Sequence, residues 1–115
     1  MKILLVDDNS KMRNVVKDII GNNANEYFEA SDGDDAVQSF YDHQPDFVVM
    51  DIELGSMDGL TATKKIMSSN PNAVIIVLTT HNTSAYRDAA YKAGAKEFIG
   101  KENMLSLRSL LNSIT

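Results

Sequence analysis

Five residues with side chains suited to metal-assisted phosphoryl chemistry stand at or just beyond the ends of short apolar runs. They are three acids, a hydroxyl and an amine: Asp7, Asp8, Asp51, Thr79 and Lys101. Two carboxylates held ~4 Å apart repel each other by about 4 kcal/mol at an effective dielectric of ~20, so a cluster of three would favour a bound cation. Oxygen ligands from a few protein groups, completed by water, suit Mg²⁺ better than zinc.

One acid of such a cluster can also act as a nucleophile. An ionised carboxylate can attack a phosphoryl group and form an aspartyl phosphate. A metal ion would offset the charge that develops on the phosphoryl oxygens, Lys101 would supply a second positive group, and Thr79 can donate a hydrogen bond. Taken singly, the acids also have a structural explanation, because Asp8 or Asn9 could cap a helix that follows.

The apolar runs have the length and composition of buried strands. In chain order they are KILLV (2–6), EYFEA (26–30), FVVM (47–50), AVIIVL (73–78) and EFI (97–99). Between and after them, apolar residues recur with helical spacing, as at Met12, Val15, Val16 and Ile19 or at Ala36, Val37, Phe40 and Tyr41. The last of five such helices carries Leu107, Leu110, Leu111 and Ile114.

This alternation predicts an α/β fold of the (βα)5 type, with a parallel five-stranded sheet in the order 2-1-3-4-5 and helices on both faces. Ligands of such sheets bind beyond the carboxyl ends of the strands, where the winding direction switches. The five residues above are therefore expected to share one crevice.

Composition excludes several classes of protein. The 115 residues, 43% of them hydrophobic and 23% charged, fit one globular domain, 1–115. The net charge of −5 argues against direct nucleic acid binding, and no apolar run approaches the ~20 residues of a membrane span. The chain has no cysteine and its first residues do not form a signal peptide, so a cytoplasmic location is expected.

Four motifs in order carry a resemblance to a known family: ILLVDDN (3–9), PDFVVMDIELGSMDGL (45–60), IIVLTT (75–80) and AGAKEFIGK (93–101). With these motifs the chain resembles the receiver domain of two-component response regulators, from about residue 2 to residue 114. The resemblance implies a flavodoxin-like fold and a phosphorylation-dependent switch, fed by a histidine kinase or a phosphotransfer protein.

The resemblance also implies a role for particular residues. Asp51 would be the phosphoacceptor and Thr79 the switch hydroxyl. Phe98 falls at the switch aromatic, although burial alone would explain it as a core residue. The Mg²⁺ ligands would be Asp7, Asp8, Asp51 and the backbone carbonyl of Glu53, with Lys101 as the family's conserved-type lysine.

The chain departs from the family pattern at three positions. Gly55 and Glu102 each stand where proline is common, and Thr80 replaces a small Ala or Gly. Since a cis bond without proline costs ~2.5–4 kcal/mol, the bond between Lys101 and Glu102 is predicted to be trans. An acid after the lysine is also found in the branch with a helix-turn-helix output domain, which suggests a transcriptional output.

The function expected from these observations is a signalling switch rather than a turnover enzyme. Its output face would be formed by helix 4, strand 5 and helix 5, for a partner, an output domain or a second copy, with Leu105 on the contact surface. Two alternatives stay open. One is a Mg²⁺-dependent phosphohydrolase with an aspartyl intermediate, although Glu53 stands where such enzymes need a second Asp; the other is a receiver-like interaction module that is never phosphorylated.

Overall fold

The computed structural model describes residues 1–21 and 26–114. The strands are β1 Lys2–Val6, β2 Glu26–Ala30, β3 Phe47–Met50, β4 Ile75–Thr79 and β5 Glu97–Gly100. The helices are α1 Ser10–Ile20, α2 Gly33–His43, α3 Gly59–Ser69, α4 Ser84–Ala93 and α5 Leu107–Ile114, and a 3-10 helix, Lys101–Ser106, joins β5 to α5.

All strand pairs are parallel, and the strand order is β2-β1-β3-β4-β5, which confirms the predicted flavodoxin-like (βα)5 fold. The register of this sheet places the candidate site. Val6 is paired with Met50, so the residues that follow them, Asp7 and Asp51, leave neighbouring strands at the same level. Thr79 is paired with Gly100, which brings Lys101 to the same edge.

The sheet separates two main apolar clusters because alternate strand residues point to opposite faces. Ile3 and Leu5 of β1 pack on the side of α1 and α5, whereas Leu4 and Val6 pack on the side of α2 and α3. β1 beyond its first residue, and all of β3 and β4, are buried. β2 is an edge strand, and the prediction that it is buried is correct only at Ala30, since Tyr27 and Phe28 are half-buried and Glu26 and Glu29 are exposed.

Polar caps fix where the helices begin. The side chain of Asn9 accepts hydrogen bonds from the N–H groups of Lys11 and Met12, so Asn9 rather than Asp8 caps α1. This leaves the Asp8 carboxylate available for another role. Asp58 caps α3 in the same way, through the N–H of Thr61.

Three local features differ from the sequence prediction or test it. Val15 is 42% exposed and Tyr41 74% exposed, because α1 and α2 bury narrower stripes than their apolar periodicity indicates. The 3-10 helix after β5 was not predicted, and Leu105, 80% exposed, lies in it rather than in the fifth helix. The bond between Lys101 and Glu102 is trans, as predicted, since the described residues contain no cis peptide bond.

Within residues 1–21 and 26–114, none of the helices combines the length and the apolar character needed to cross a bilayer.

One buried polar group gives a stability prediction. The hydroxyl of Thr63 on α3 is fully buried and has no hydrogen-bond partner among the described residues. Replacing it by a methyl group in Thr63→Val should raise the free energy of unfolding by about 1 kcal/mol, because an unpaired buried hydroxyl costs roughly 1–3 kcal/mol.

Urea denaturation of the variant measures this gain. The control is Thr61→Val, the same change at an exposed position of the same helix, which should alter stability little. A Thr63→Val variant that is less stable than the Thr61→Val control would show that the hydroxyl is paired in solution.

Candidate functional site

The carboxylates of Asp7, Asp8 and Asp51 meet at the carboxyl edge of the sheet. One oxygen of each lies within 4.8 Å of an oxygen of the other two. Asp7 and Asp51 are buried, whereas Asp8 is exposed. The structure therefore brings together the three acids that the sequence placed in one crevice, with one of them open to solvent.

Lys101 joins two of these acids. Its Nζ donates hydrogen bonds to Oδ2 of Asp7 at 2.9 Å and to Oδ2 of Asp51 at 3.1 Å. The ion pairs are well shielded from water, because the side chains of all three residues are largely buried. Three acids with one lysine still leave a net negative charge, and an all-oxygen donor set of this kind fits a hard divalent cation such as Mg²⁺.

Main-chain groups fix the second oxygen of each buried carboxylate. The N–H of Asn9 donates to Oδ1 of Asp7 at 2.9 Å, and the N–H of Ile52 donates to Oδ1 of Asp51 at 2.8 Å. Gly59 allows the β3–α3 loop to close behind the site, since a Cβ at Gly59 would lie 1.8 Å from the carbonyl oxygen of Asp51. The two acids are thus oriented before any ligand arrives.

The electrostatics of the site oppose ionisation of Asp51. Burial raises the pKa of Asp51, the charge and hydrogen bond of Lys101 lower it, and the charge of Asp7 raises it again, with a net upward shift. Burial alone would lower the pKa of Lys101, but its hydrogen bond to Asp7 and the negative charges of Asp51 and Asp7 raise it overall. Lys101 therefore stays charged at neutral pH.

Thr79 and Phe98 lie on the β4–β5 side of the site. Thr79 is the fully buried last residue of β4, and its Oγ1 accepts a hydrogen bond from the N–H of His81 at 3.2 Å. Phe98 on β5 is buried in a third apolar cluster, and the guanidinium carbon of Arg87 lies 5.1 Å from its ring centre. Phe98 is thus a core residue in this structure, and its role as a switch stays a prediction.

The side chain of Glu53, whose main-chain carbonyl is an expected Mg²⁺ ligand, contacts a histidine. Its Oε2 lies 2.6 Å from Nε2 of His81, and the His81 ring packs at 5.1 Å from the ring of Tyr86. His81 is half-buried. The pairing of Glu53 with His81 was missed, although Glu53 lies three residues beyond the end of β3 and His81 two residues beyond the end of the neighbouring β4, which was the available signal.

Arg13 is a second residue that sequence reasoning missed. It lies on α1, and its side chain contacts the main chain of Asp7. Its only sequence signal was a cation a few residues after the acidic pair, which is also common on an exposed helix face.

Comparison with known proteins gives a consistent assignment. The family described as response regulator receiver domain matches residues 3–114. Chemotaxis protein CheY of Thermotoga maritima is 44% identical to the chain over 101 residues, which make up 87% of this chain and 84% of that protein.

Two solved structures resemble the whole chain. A two-component response regulator of the LuxR family from Aurantimonas sp. has a TM-score of 0.90 and 30% identity, covering 98% of this chain and 83% of the other. The CheX–CheY–BeF3–Mg²⁺ complex from Borrelia burgdorferi has a TM-score of 0.88 and 28% identity, with 99% and 88% covered. Since the family match extends over nearly all 115 residues, this chain belongs to the response regulator receiver domain family.

Proposed function

We propose that the chain, residues 1–115, is a phosphorylation-controlled signalling switch whose phosphoacceptor is Asp51. The observation that carries this proposal is the meeting of three carboxylates within 4.8 Å of each other, with Lys101 bound to two of them. The phosphoryl group would come from the phosphohistidine of a histidine kinase or of a phosphotransfer protein. The phosphoryl transfer would take place in the cytoplasm.

In the proposed transfer, one carboxylate oxygen of Asp51 forms a bond to phosphorus. The phosphorus–nitrogen bond of the phosphohistidine breaks, and its electron pair returns to the imidazole nitrogen of the donor. Mg²⁺, held by Asp7, Asp8, Asp51 and the main-chain carbonyl of Glu53, would offset charge on the phosphoryl oxygens. Lys101 already lies 3.1 Å from Asp51 Oδ2 and can follow the transferred group as a second positive charge.

Thr79 and Phe98 are the residues that we propose transmit the change. The hydroxyl oxygen of Thr79 now accepts a hydrogen bond from the N–H of His81. After phosphorylation, the hydroxyl would reorient and donate a hydrogen bond to a phosphoryl oxygen. Phe98 would then move toward the space that Thr79 leaves. The surface formed by α4, β5 and α5 would change its affinity for a partner or a second copy.

A protein partner is the output that we propose. The 44% identical relative is a chemotaxis protein, and the Borrelia burgdorferi relative is a CheY in complex with CheX. These relatives favour a partner protein over the transcriptional output suggested by the acid after Lys101. The chain would be consumed as a phosphoacceptor and regenerated by hydrolysis, so we do not class it as a turnover enzyme.

Acetyl phosphate with Mg²⁺ tests the phosphoacceptor. Intact-mass spectrometry should show a gain of one phosphoryl group on the wild type and none on Asp51→Asn, because Asp51 is the proposed nucleophile and its carboxylate lies beside Lys101 and the acidic pair. Asp88→Asn, the same change at an exposed position of α4, is the matched control and should be phosphorylated like the wild type.

The same experiment separates the alternatives. Release of many phosphates per chain under these conditions would favour the phosphohydrolase. An unchanged wild-type mass would favour the interaction module, and a gain that persists in Asp51→Asn would place the phosphoacceptor elsewhere.

A second prediction concerns the stability of the metal-free protein. Because the pKa of Asp51 is raised, the ionised carboxylate destabilises the fold at neutral pH, and this cost is relieved as the pH falls through the raised value. Asp51→Asn should therefore melt above the wild type at neutral pH, by roughly 4 °C for each kcal/mol relieved. The advantage should shrink toward about pH 4, near the ordinary pKa of an aspartate.

Calorimetry in the presence of EDTA measures this difference, with Asp88→Asn as the variant that should follow the wild type at both pH values. An Asp51→Asn protein that melts at or below the wild type at neutral pH would mean that the ion pair with Lys101 outweighs burial.

A further inference from the structure

Arg13 binds the main chain of Asp7 from the side of α1. Its Nη1 donates a hydrogen bond to the carbonyl oxygen of Asp7, and its Nε donates to Oε1 of Glu29 at 2.8 Å. The Arg13 side chain is 15% exposed and that of Glu29 is 36% exposed, so the bond to Asp7 is the better sheltered of the two from competing water. The guanidinium thus connects a residue of β2 to the end of β1.

The position of Arg13 on the helix explains this contact. Side chains of an α-helix lean toward its N-terminus, and Arg13 lies in the first turn after the cap residue Asn9. Its guanidinium therefore reaches back to the segment between β1 and α1. The planar group has donors on several edges, so it can bind the Asp7 carbonyl and the Glu29 carboxylate at once.

The carbonyl that Arg13 binds belongs to the peptide group between Asp7 and Asp8, two of the three acids in the cluster. We propose that Arg13 is a positioning residue for the Mg²⁺ site: by holding this peptide group, it sets the directions in which both carboxylates leave the chain. This inference rests on the proposed function, because it assumes that Asp7 and Asp8 bind the cation. Arg13 itself would not touch the metal.

Glu29 holds Arg13 in place. Its second oxygen, Oε2, accepts from Nζ of Lys17 at 2.9 Å. The hydrogen bond from Lys17 lowers the pKa of Glu29 and the bond from Arg13 adds to this effect, against an opposing contribution from burial, so Glu29 stays ionised at neutral pH. In this way β2, which offers no residue to the acidic cluster, supports the geometry of the site.

The sign of one measurement separates a positioning role from a simple charge effect. Arg13 is a cation next to a cation site, so by Coulomb's law alone its removal should strengthen Mg²⁺ binding. If Arg13 orients the two acids, its removal should weaken Mg²⁺ binding in spite of the lost positive charge. Outer groups that orient metal ligands typically contribute 10–100-fold to affinity.

The test is titration of the metal-free protein with Mg²⁺ by isothermal calorimetry. We expect Arg13→Met to weaken Mg²⁺ binding about tenfold, at the lower end of that range. The matched control is Lys17→Met. Lys17 lies on the same helix, carries the same charge and binds the same partner, Glu29, but it does not contact Asp7. Lys17→Met should bind Mg²⁺ as tightly as the wild type or slightly more tightly.

Arg13→Lys provides the second variant and decides the matter if Arg13→Met does not fold. It keeps the charge but cannot hold both the Asp7 carbonyl and Glu29 in a fork, so it should also bind Mg²⁺ more weakly than the wild type. Without metal, the amide resonance of Asp8 in an NMR spectrum should shift in both Arg13 variants and stay in place in Lys17→Met.

Two results would overturn the inference. Folded Arg13 variants that bind Mg²⁺ as tightly as Lys17→Met would show that Arg13 acts only through its charge, while leaving the metal site intact. If the wild-type protein does not bind Mg²⁺ at all, the proposed metal site does not exist. Both this inference and the Mg²⁺-dependent part of the proposed function would then be wrong.

Discussion

The carboxylates of Asp7 and Asp51 share one ammonium group, that of Lys101, and the rest of the site depends on this arrangement. The two acids lie side by side because parallel pairing of β1 with β3 ends both strands at the same level. Their repulsion would otherwise separate or neutralise them, since burying like charges is costly. The β4–β5 register places Lys101 beside the two acids, and its charge offsets much of that cost. The raised pKa of Asp51 indicates that part of the cost of ionising Asp51 remains.

A bound cation would relieve this residual cost. The fold cannot relax the acids apart, because the second oxygen of each buried carboxylate is held by a main-chain N–H, from Asn9 and from Ile52. Asp8 is the exposed acid, and its side chain does not cap α1, because Asn9 does. A cation that enters beside Asp8 would meet two buried carboxylates whose orientation is already set, with Lys101 bound to Oδ2 of both. Preorganisation of this kind is what allows a few oxygen ligands to bind a strongly hydrated ion.

The sequence predicts the strand order and the meeting of the acids, because both follow from where apolar runs end and from the rules of parallel sheets. It does not predict contacts that depend on side-chain direction across elements. Glu53 with His81, and Arg13 with Asp7, join segments that are separate in sequence, and each residue alone resembles an ordinary surface position. The exposure of Val15 shows the same limit, since periodicity identifies a helix but overestimates the width of its buried stripe.

The packing also provides a route by which a structural change at Asp51 could reach Phe98. Ile52 directly follows Asp51, donates its N–H to the Asp51 carboxylate, and lies in the same apolar cluster as Phe98. Val77 of β4 belongs to this cluster as well, two residues before Thr79. We therefore expect a change at Asp51 or Thr79 to displace a neighbour of Phe98, because close-packed interiors transmit small displacements instead of absorbing them. The Arg87 guanidinium lies on the Phe98 ring from α4, so we expect a shift of that ring to affect α4 at the proposed output surface.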